Sequence, residues 1–349
     1  MDFLKFLSHV TTVPGPSGYE LPVAEVFARA FEPYCDEVSV DFLGSVLAVQ
    51  KSNTGKKGPR IMLCAHIDEV GLMTTGVEED GSVRFLSRGG AAQTLPAQEV
   101  RLLTKEGPLF GVIGAMPPHL TDAAARGEVT PVEKLFIDTG LAADEVKRRV
   151  PVGTPVQLVG RTMPLLNDLI TSKTMDDRAC AAILLCAAEE LRMRLHDAEI
   201  CYVISAREEI DSLGAQTMAE RICPDAAIVL DVTHGTMDDC PPGRTFPLDA
   251  TDISAGPNTH RKLADFIIHH AQELKIKTMR GVAAATTWTD AWEIQVSCEG
   301  IPSVVVSLPL KYMHTTVETG SAKTMREQAR LICEAVCAMH EGWEETLCY

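Results

Sequence analysis

Residues of types that hold metal ions stand at or near the ends of five separate apolar segments. His66 follows PRIMLCA, the adjacent Asp176 and Asp177 lie in KTMDDRAC, the adjacent Glu208 and Glu209 come after CYVISAR, Asp231 ends AAIVL, and His314 sits in LPLKYMHTT just past PSVVVSLPL. Open α/β sheets bind ligands where their buried strands end, so polar groups at those ends are site candidates. First-row divalent metals accept such mixed sets of imidazole and carboxylate. Three carboxylates and two neutral imidazoles carry less charge than two divalent cations, which leaves room for one hydroxide. Two-metal sites of this kind, with ions ~3.5–4 Å apart, activate water and polarise a carbonyl. The chemistry also needs a base that takes the water's proton and passes it to a leaving amine. A glutamate that is not a ligand must then stand beside one that is, and SAREEID supplies Glu208 next to Glu209.

Each of these residues also has a plainer reading. Asp176 and Asp177 precede an Ala/Leu-rich helical pattern, where Asp is favoured as a cap and in the first turn. As a metal site, one of the two would bridge a pair of cations while its neighbour orients a ligand. Glu208 and Glu209 also fit a solvated turn neutralised by Arg207, and Asp231 fits a turn-forming role. His314 alone fits a satisfied structural histidine, and His234 is a weaker candidate. Residues two apart in a strand share a face, so Asp68 can accept a hydrogen bond from the imidazole of His66. That contact fixes the tautomer of a metal-binding histidine. The conjunction of all these groups at segment exits favours the metal reading.

The elements that must position them alternate. PRIMLCAHID, EICYVISA, AAIVLDVTHG and PSVVVSLPL are apolar runs of strand length, too continuous for a half-exposed sheet. Helical patterns cover Asp177–Arg194, Thr259–Leu274 (with Leu263, Phe266, Ile267 and His270 at helical spacing) and Ala322–Glu341. This predicts an α/β sheet covered by helices on both faces. Between about 70 and 165 the texture changes to short β-like pieces (SVRFL, EVRLLT, PLFGVIG, TPVQLVG) separated by Gly and Pro, without a long amphipathic helix. We read 70–165 as a small β-rich domain inserted into an α/β domain made of 1–69 and 166–349. SNTGKKG reads as a solvated loop.

Composition narrows the class. Hydrophobic residues at 46% and charged residues at 23% describe an ordinary globular protein of 349 residues. A formal net charge of −16 argues against a nucleic-acid partner, which needs a cationic footprint, and suits a site that gathers cations. No run approaches the ~18 apolar residues of a membrane span, and the N-terminus lacks a signal-peptide pattern. The 11 cysteines are dispersed without a C-x-x-C pair, several inside apolar runs, which predicts a reducing cytoplasmic setting.

Taken together, AHIDEVGLM (65–73), GVIGAMPPH (111–119), TMDDR (174–178), SAREEI (205–210), LDVTHG (230–235), TDA (289–291) and KYMHTTVE (311–318) resemble the dinuclear metallo-aminopeptidases that include glutamyl and deblocking aminopeptidases, some formerly labelled endoglucanases. The resemblance implies a zinc-exopeptidase-like mixed sheet, with the 70–165 insert as a dimerisation domain. It implies His66 and Asp231 on one ion, Glu209 and His314 on the other, and Asp176 bridging them ahead of a cis peptide to Asp177. Glu208 becomes the general acid/base acting with a hydroxide shared by the ions, and Asp68 the partner of His66. Two divalent ions per subunit are implied, zinc or cobalt first and manganese next. The implied substrates are short peptides, with Asp290 and Lys311 as substrate-binding candidates. The implied assembly is a homo-oligomer, in many relatives a tetrahedral dodecamer.

The chain also departs from that pattern. Cys180 stands where Gly is common, Asp211 and Ser212 replace Gly and a basic or polar residue, Trp288 replaces a common Gly, and Lys311 replaces Arg. Lysine cannot reproduce a bidentate arginine contact. Two other functions fit the same ligand set: a metal-dependent amidase or deacylase acting on N-acyl compounds, and a non-catalytic peptide-binding or assembly protein that keeps its metals. The glycosidase label is disfavoured, since glycosidases need two opposed carboxylates and no metal pair.

Overall fold

The computed structural model describes residues 1–114, 116–120, 128–238, 240–241 and 243–348. Four parallel strands lie side by side in the order Glu199–Ser205, Arg60–His66, Ala226–His234 and Ser303–Leu310. They are the four apolar runs of the sequence. Val46–Gln50 and Glu37–Val40 extend the sheet antiparallel at one edge. At the other edge Thr251–Ile253 pairs antiparallel with Ser303–Leu310 and carries Thr278–Met279. The eight strands therefore form a mixed sheet. The four short edge strands were not read from the sequence, because their pieces lack the long apolar run of the central four.

Alternate side chains of each central strand enter two different cores. Ile61, Leu63, Ile200, Tyr202, Ile228 and Leu230 face the helices Leu21–Phe31, Met175–Leu191, Arg261–Glu273 and Ala322–Cys337. Met62, Cys64, Cys201, Val203, Ala227 and Val229 face Leu213–Ile222 and Ala291–Ile294. Helices thus lie on both faces, and double-sided burial accounts for the unbroken apolar text. Met175–Leu191 is buried on almost every side, as expected of a helix apolar all round. Its regular part starts only after Asp177, because Asp176 and Asp177 have non-helical backbone angles and the peptide between them is cis. The C-terminal helix begins at the Ser321 cap, whose hydroxyl accepts from Thr324 N at 3.2 Å, and ends at Cys337 rather than Glu341.

The inserted segment closes a six-stranded barrel in the order Gly71–Val77, Val83–Arg88, Phe136–Asp138, Gly107–Gly114, Glu99–Thr104 and Pro155–Leu158. Its own core includes Leu72, Phe85, Val100, Leu102, Ile113 and Val156. A short helix, Ala143–Arg149, interrupts the β-rich text. Residue 115 of the GVIGAMPPH stretch, and 121–127 of the insert, lie outside the described residues. A further three-stranded sheet of Met163–Pro164, Leu169–Ser172 and Glu318–Ser321 pairs Ser172 with Glu318. It delivers the chain to Asp176 with Glu318 alongside.

The cysteines partly correct the sequence reading. Cys223 and Cys298 are joined in a disulfide, and the other nine are free thiols. Separated by 75 residues, the pair leaves no local spacing signal. Among the described residues no helix is long and apolar enough to cross a membrane.

Candidate metal centre

The sheet register brings the metal-binding residue types together. His66 ends its strand opposite Ser205 of the neighbouring parallel strand, so the Glu208–Glu209 turn starts within a few residues of it. That turn is shaped by Arg207 in the left-handed region (φ 64°) and by a 3-10 turn over Glu208–Ile210. It closes at Gly214, where any Cβ would lie 2.3 Å from the Ala206 carbonyl oxygen and 2.5 Å from Ser45 Oγ, so the close approach requires glycine.

Asp176 sits between the two histidines with its oxygens divided. Oδ1 lies 3.1 Å from His66 Nε2, and Oδ2 lies 3.1 Å from His314 Nε2. Glu209 Oε1 is 3.4 Å from the same His314 nitrogen, and Glu208 Oε2 is 3.9 Å from His66 Nε2. Donor atoms of His66, Asp176 and Glu209 all fall within 4.8 Å of one another, as do those of His66, Asp177 and Asp231. Asp177 thus stands beside the ligand set. Its Oδ2 accepts from the backbone N–H of His66 at 3.2 Å, while Oδ1 is buried without a partner. The donor set, mixed, buried and convergent, fits divalent cations.

Asp68 is fully buried and binds both sides of the site. It accepts from the backbone N–H of Glu208 (2.9 Å) and of Glu209 (3.2 Å), and from the Ser17 hydroxyl (2.7 Å). His66 Nδ1 lies 3.4 Å from its Oδ1, long for a hydrogen bond. Its firmest contacts are thus to the glutamate turn rather than to the imidazole.

Sequence reasoning missed Glu318. Its Oε2 accepts from the backbone N–H of Met175 (2.6 Å) and Asp176 (3.0 Å), and its Oε1 from that of His314 (2.9 Å). One buried carboxylate thereby holds the backbone on both sides of the proposed bridge. A lone Glu after HTTV carries no local signal of this. Glu69 was also missed: it is buried beneath the site, ion-paired with Lys173 and Arg178, and accepts from Thr174 Oγ1 at 2.8 Å. Glu318→Gln places an amide N–H₂ against a backbone donor, and should weaken metal binding by about 10–100-fold, the loss usual for outer partners of metal ligands. Competition titration against a chromophoric chelator would measure it.

The two substrate-binding candidates, Asp290 and Lys311, are not among the residues that line the cleft. Asp290 is buried behind it, accepting from Ser205 Oγ at 2.5 Å and from Cys64 Sγ at 3.4 Å. Lys311 has its backbone paired with Thr319 and does not line the cavity. A cavity of about 700 Å³ instead opens from His66, Asp176, Glu208, Glu209, Asp231 and His314 onto a wall that includes Asp211, Trp288 and Glu293.

Without cations the site carries more acid than its partners can balance. Burial drives Glu208 and Asp231 well above the carboxylate range, reinforced for Asp231 by the neighbouring Asp177. Asp176 goes the other way: burial alone would raise it, but hydrogen bonds from His314 and His66 hold it low. His314 is pushed up to about 11, since contacts to Asp176 and Glu209 outweigh burial.

With this geometry, the comparisons agree on the class of protein. The chain belongs to the M42 glutamyl aminopeptidase family, whose model matches residues 44–331, and it is an aminopeptidase of that metal-dependent family. It is 30% identical over 334 residues to a lysyl aminopeptidase from Pyrococcus furiosus, covering 94% of each chain. In structure it is similar to a TET aminopeptidase from the marine sediment archaeon Thaumarchaeota archaeon SCGC AB-539-E09, with TM-score 0.93, 28% identity and 100% of each chain covered. It is also similar to the Pyrococcus horikoshii TET1 peptidase, which can assemble into a tetrahedron or a large octahedral shell, with TM-score 0.83, 25% identity, and 97% of this chain and 100% of that one covered.

Proposed function

We propose that this chain removes N-terminal residues from short peptides at a centre of two divalent ions, zinc or cobalt first and manganese next. The observation that carries the reading is the division of Asp176, one oxygen to His66 and the other to His314. In it His66 and Asp231 would hold one ion, Glu209 and His314 the other, and Asp176 would contribute to both. When bound, the ions supply an activated water and polarise the scissile carbonyl. Glu208 takes the proton from the attacking water and returns it to the leaving amine; its Oε2, 3.9 Å from His66 Nε2, is close enough to the ligands to face that water. Asp68 keeps Glu208 and Glu209 apart in role by anchoring both backbone N–H groups. Glu318 and Asp177 fix the backbone of Asp176, His314 and His66.

The reading extends to the architecture. The division into 1–69 plus 166–349 and an insert of 70–165 is supported by the barrel's separate core. A zinc-exopeptidase-like layout is supported by polar ligands leaving the ends of the central strands. The barrel exposes Leu86 (59%), Phe110 (59%) and Val152 (72%), which suits pairing of copies through the insert and a larger homo-oligomer, a tetrahedral dodecamer among the forms. A cytoplasmic setting rests on the nine free thiols, with the Cys223–Cys298 link standing against it. The family's description names a glutamyl and the Pyrococcus furiosus relative a lysyl activity, so membership leaves the preferred residue open.

Chelation followed by reconstitution with Zn²⁺, Co²⁺ or Mn²⁺, and a screen of aminoacyl and N-acetylated peptides, tests the proposal. Activity should vanish on chelation, return with about two metal equivalents, and require a free α-amine. Hydrolysis of the acetylated peptides instead would support an amidase. Peptide binding without release of any amino acid would support a non-catalytic role.

A further inference from the structure

The wall of the cleft beyond the metal-binding residues is unusual in both chemistry and backbone. Asp211, Ser212 and Trp288 all line the cavity and all hold left-handed backbone angles, with φ of 87°, 53° and 53°. Glycine adopts that conformation freely, whereas a side chain there is strained, most of all one as bulky as tryptophan. This chain keeps side chains at all three positions, and all three residues border one cavity. Trp288 is 86% exposed and Trp292, on the same wall, is 44% exposed. Glu293 completes the wall.

The charges of this wall are one-sided. No lysine or arginine among the described residues lines the cavity. Among the described residues the carboxylates of Asp211 and Glu293 form no ion pair. Metal ions would neutralise Asp176, Glu209 and Asp231, but they leave these two outer acids unbalanced. Indole faces beside free carboxylates attract a cation carried on an apolar stem, because the ring quadrupole and the acids act on the charge while the rings cover the methylenes. An acidic side chain entering the same space would meet like charge and no counter-ion.

We propose that Asp211, Glu293, Trp288 and Trp292 form a specificity wall that selects peptides with an N-terminal lysine or arginine. The inference rests on the aminopeptidase reading for the orientation of the peptide, with its α-amine end in the cavity. The selected side chain lies along the indoles with its cationic head toward the two carboxylates.

Binding and turnover separate this inference from the reading beneath it. Metal-loaded Glu208→Gln protein is titrated calorimetrically with Lys-Gly-Gly, norleucyl-Gly-Gly and Glu-Gly-Gly; norleucine matches the lysine stem without its charge. The lysyl peptide should bind about two- to fivefold more tightly than the norleucyl one, as an exposed cation–π contact gives, and the glutamyl peptide should bind weakest. Asp211→Asn with Glu293→Gln, and separately Trp288→Gly, should cut the lysyl-to-norleucyl ratio toward unity. Equal or tighter binding of the norleucyl or glutamyl peptide, a ratio unmoved by these substitutions, or no binding of any of the three would overturn the proposal. Wild-type protein that binds the lysyl peptide selectively yet releases no lysine would leave the wall standing and overturn the aminopeptidase reading.

Discussion

Glu208→Gln is expected to lower kcat by about 10²- to 10⁴-fold while the protein still takes up two metal equivalents. The amide is nearly isosteric with the carboxylate and keeps the backbone N–H that Asp68 accepts at 2.9 Å, so the turn that carries Glu209 should hold its shape. What the amide cannot do is accept and return a proton. The expected signature is therefore a loss in kcat with KM little changed, and normal metal content by elemental analysis. Near-normal turnover at full metal loading would assign the proton transfer to another group, with Asp177 the next carboxylate at the site, its Oδ1 buried and unpaired.

Asp176→Asn should be the most damaging substitution for metal binding. An amide offers one acceptor oxygen and one donor nitrogen. In this chain the two terminal atoms of residue 176 face different histidines at equal distances of 3.1 Å, so one of the two positions would turn from acceptor to donor. Metal content should fall from two equivalents to one or none, and affinity for the remaining ion by more than the ~100-fold seen when only an outer partner is lost. Equilibrium dialysis with elemental analysis checks both. Asp231→Asn, which acts beside His66 alone, should leave the ion at Glu209 and His314 in place. If Asp176→Asn retains two ions at wild-type affinity, the bridging role is wrong.

Much of the fold was legible because burial writes a simple signature. The four central strands lie between helical layers, and residues such as Ile61–Cys64 or Val304–Val306 must be apolar at every position to satisfy two cores at once. The barrel insert was legible from the change of period and its Gly and Pro breaks. The edge strands Glu37–Val40 and Thr278–Met279 were not, since a half-exposed strand of a few residues has no periodicity to read. The surroundings of Asp290 were illegible for a related reason: a polar residue in a short motif looks the same whether it faces a cleft or, as here, lies buried against Ser205 and Cys64.

By itself the sequence determined the donor types and their place at segment ends, because a carboxylate or imidazole that closes a buried run is expensive unless something pairs with it. It also determined the strand and helix text that builds a sheet able to hold them. Tertiary structure alone decided which atoms converge. Parallel register set His66 beside the glutamate turn, and a separate three-stranded sheet set Glu318 between Asp176 and His314, across 142 and 4 residues of chain. It alone turned Asp211, Ser212 and Trp288 onto one cavity wall, since a left-handed backbone angle is set by the packing around a turn and leaves no mark in residue type when the residue is not glycine.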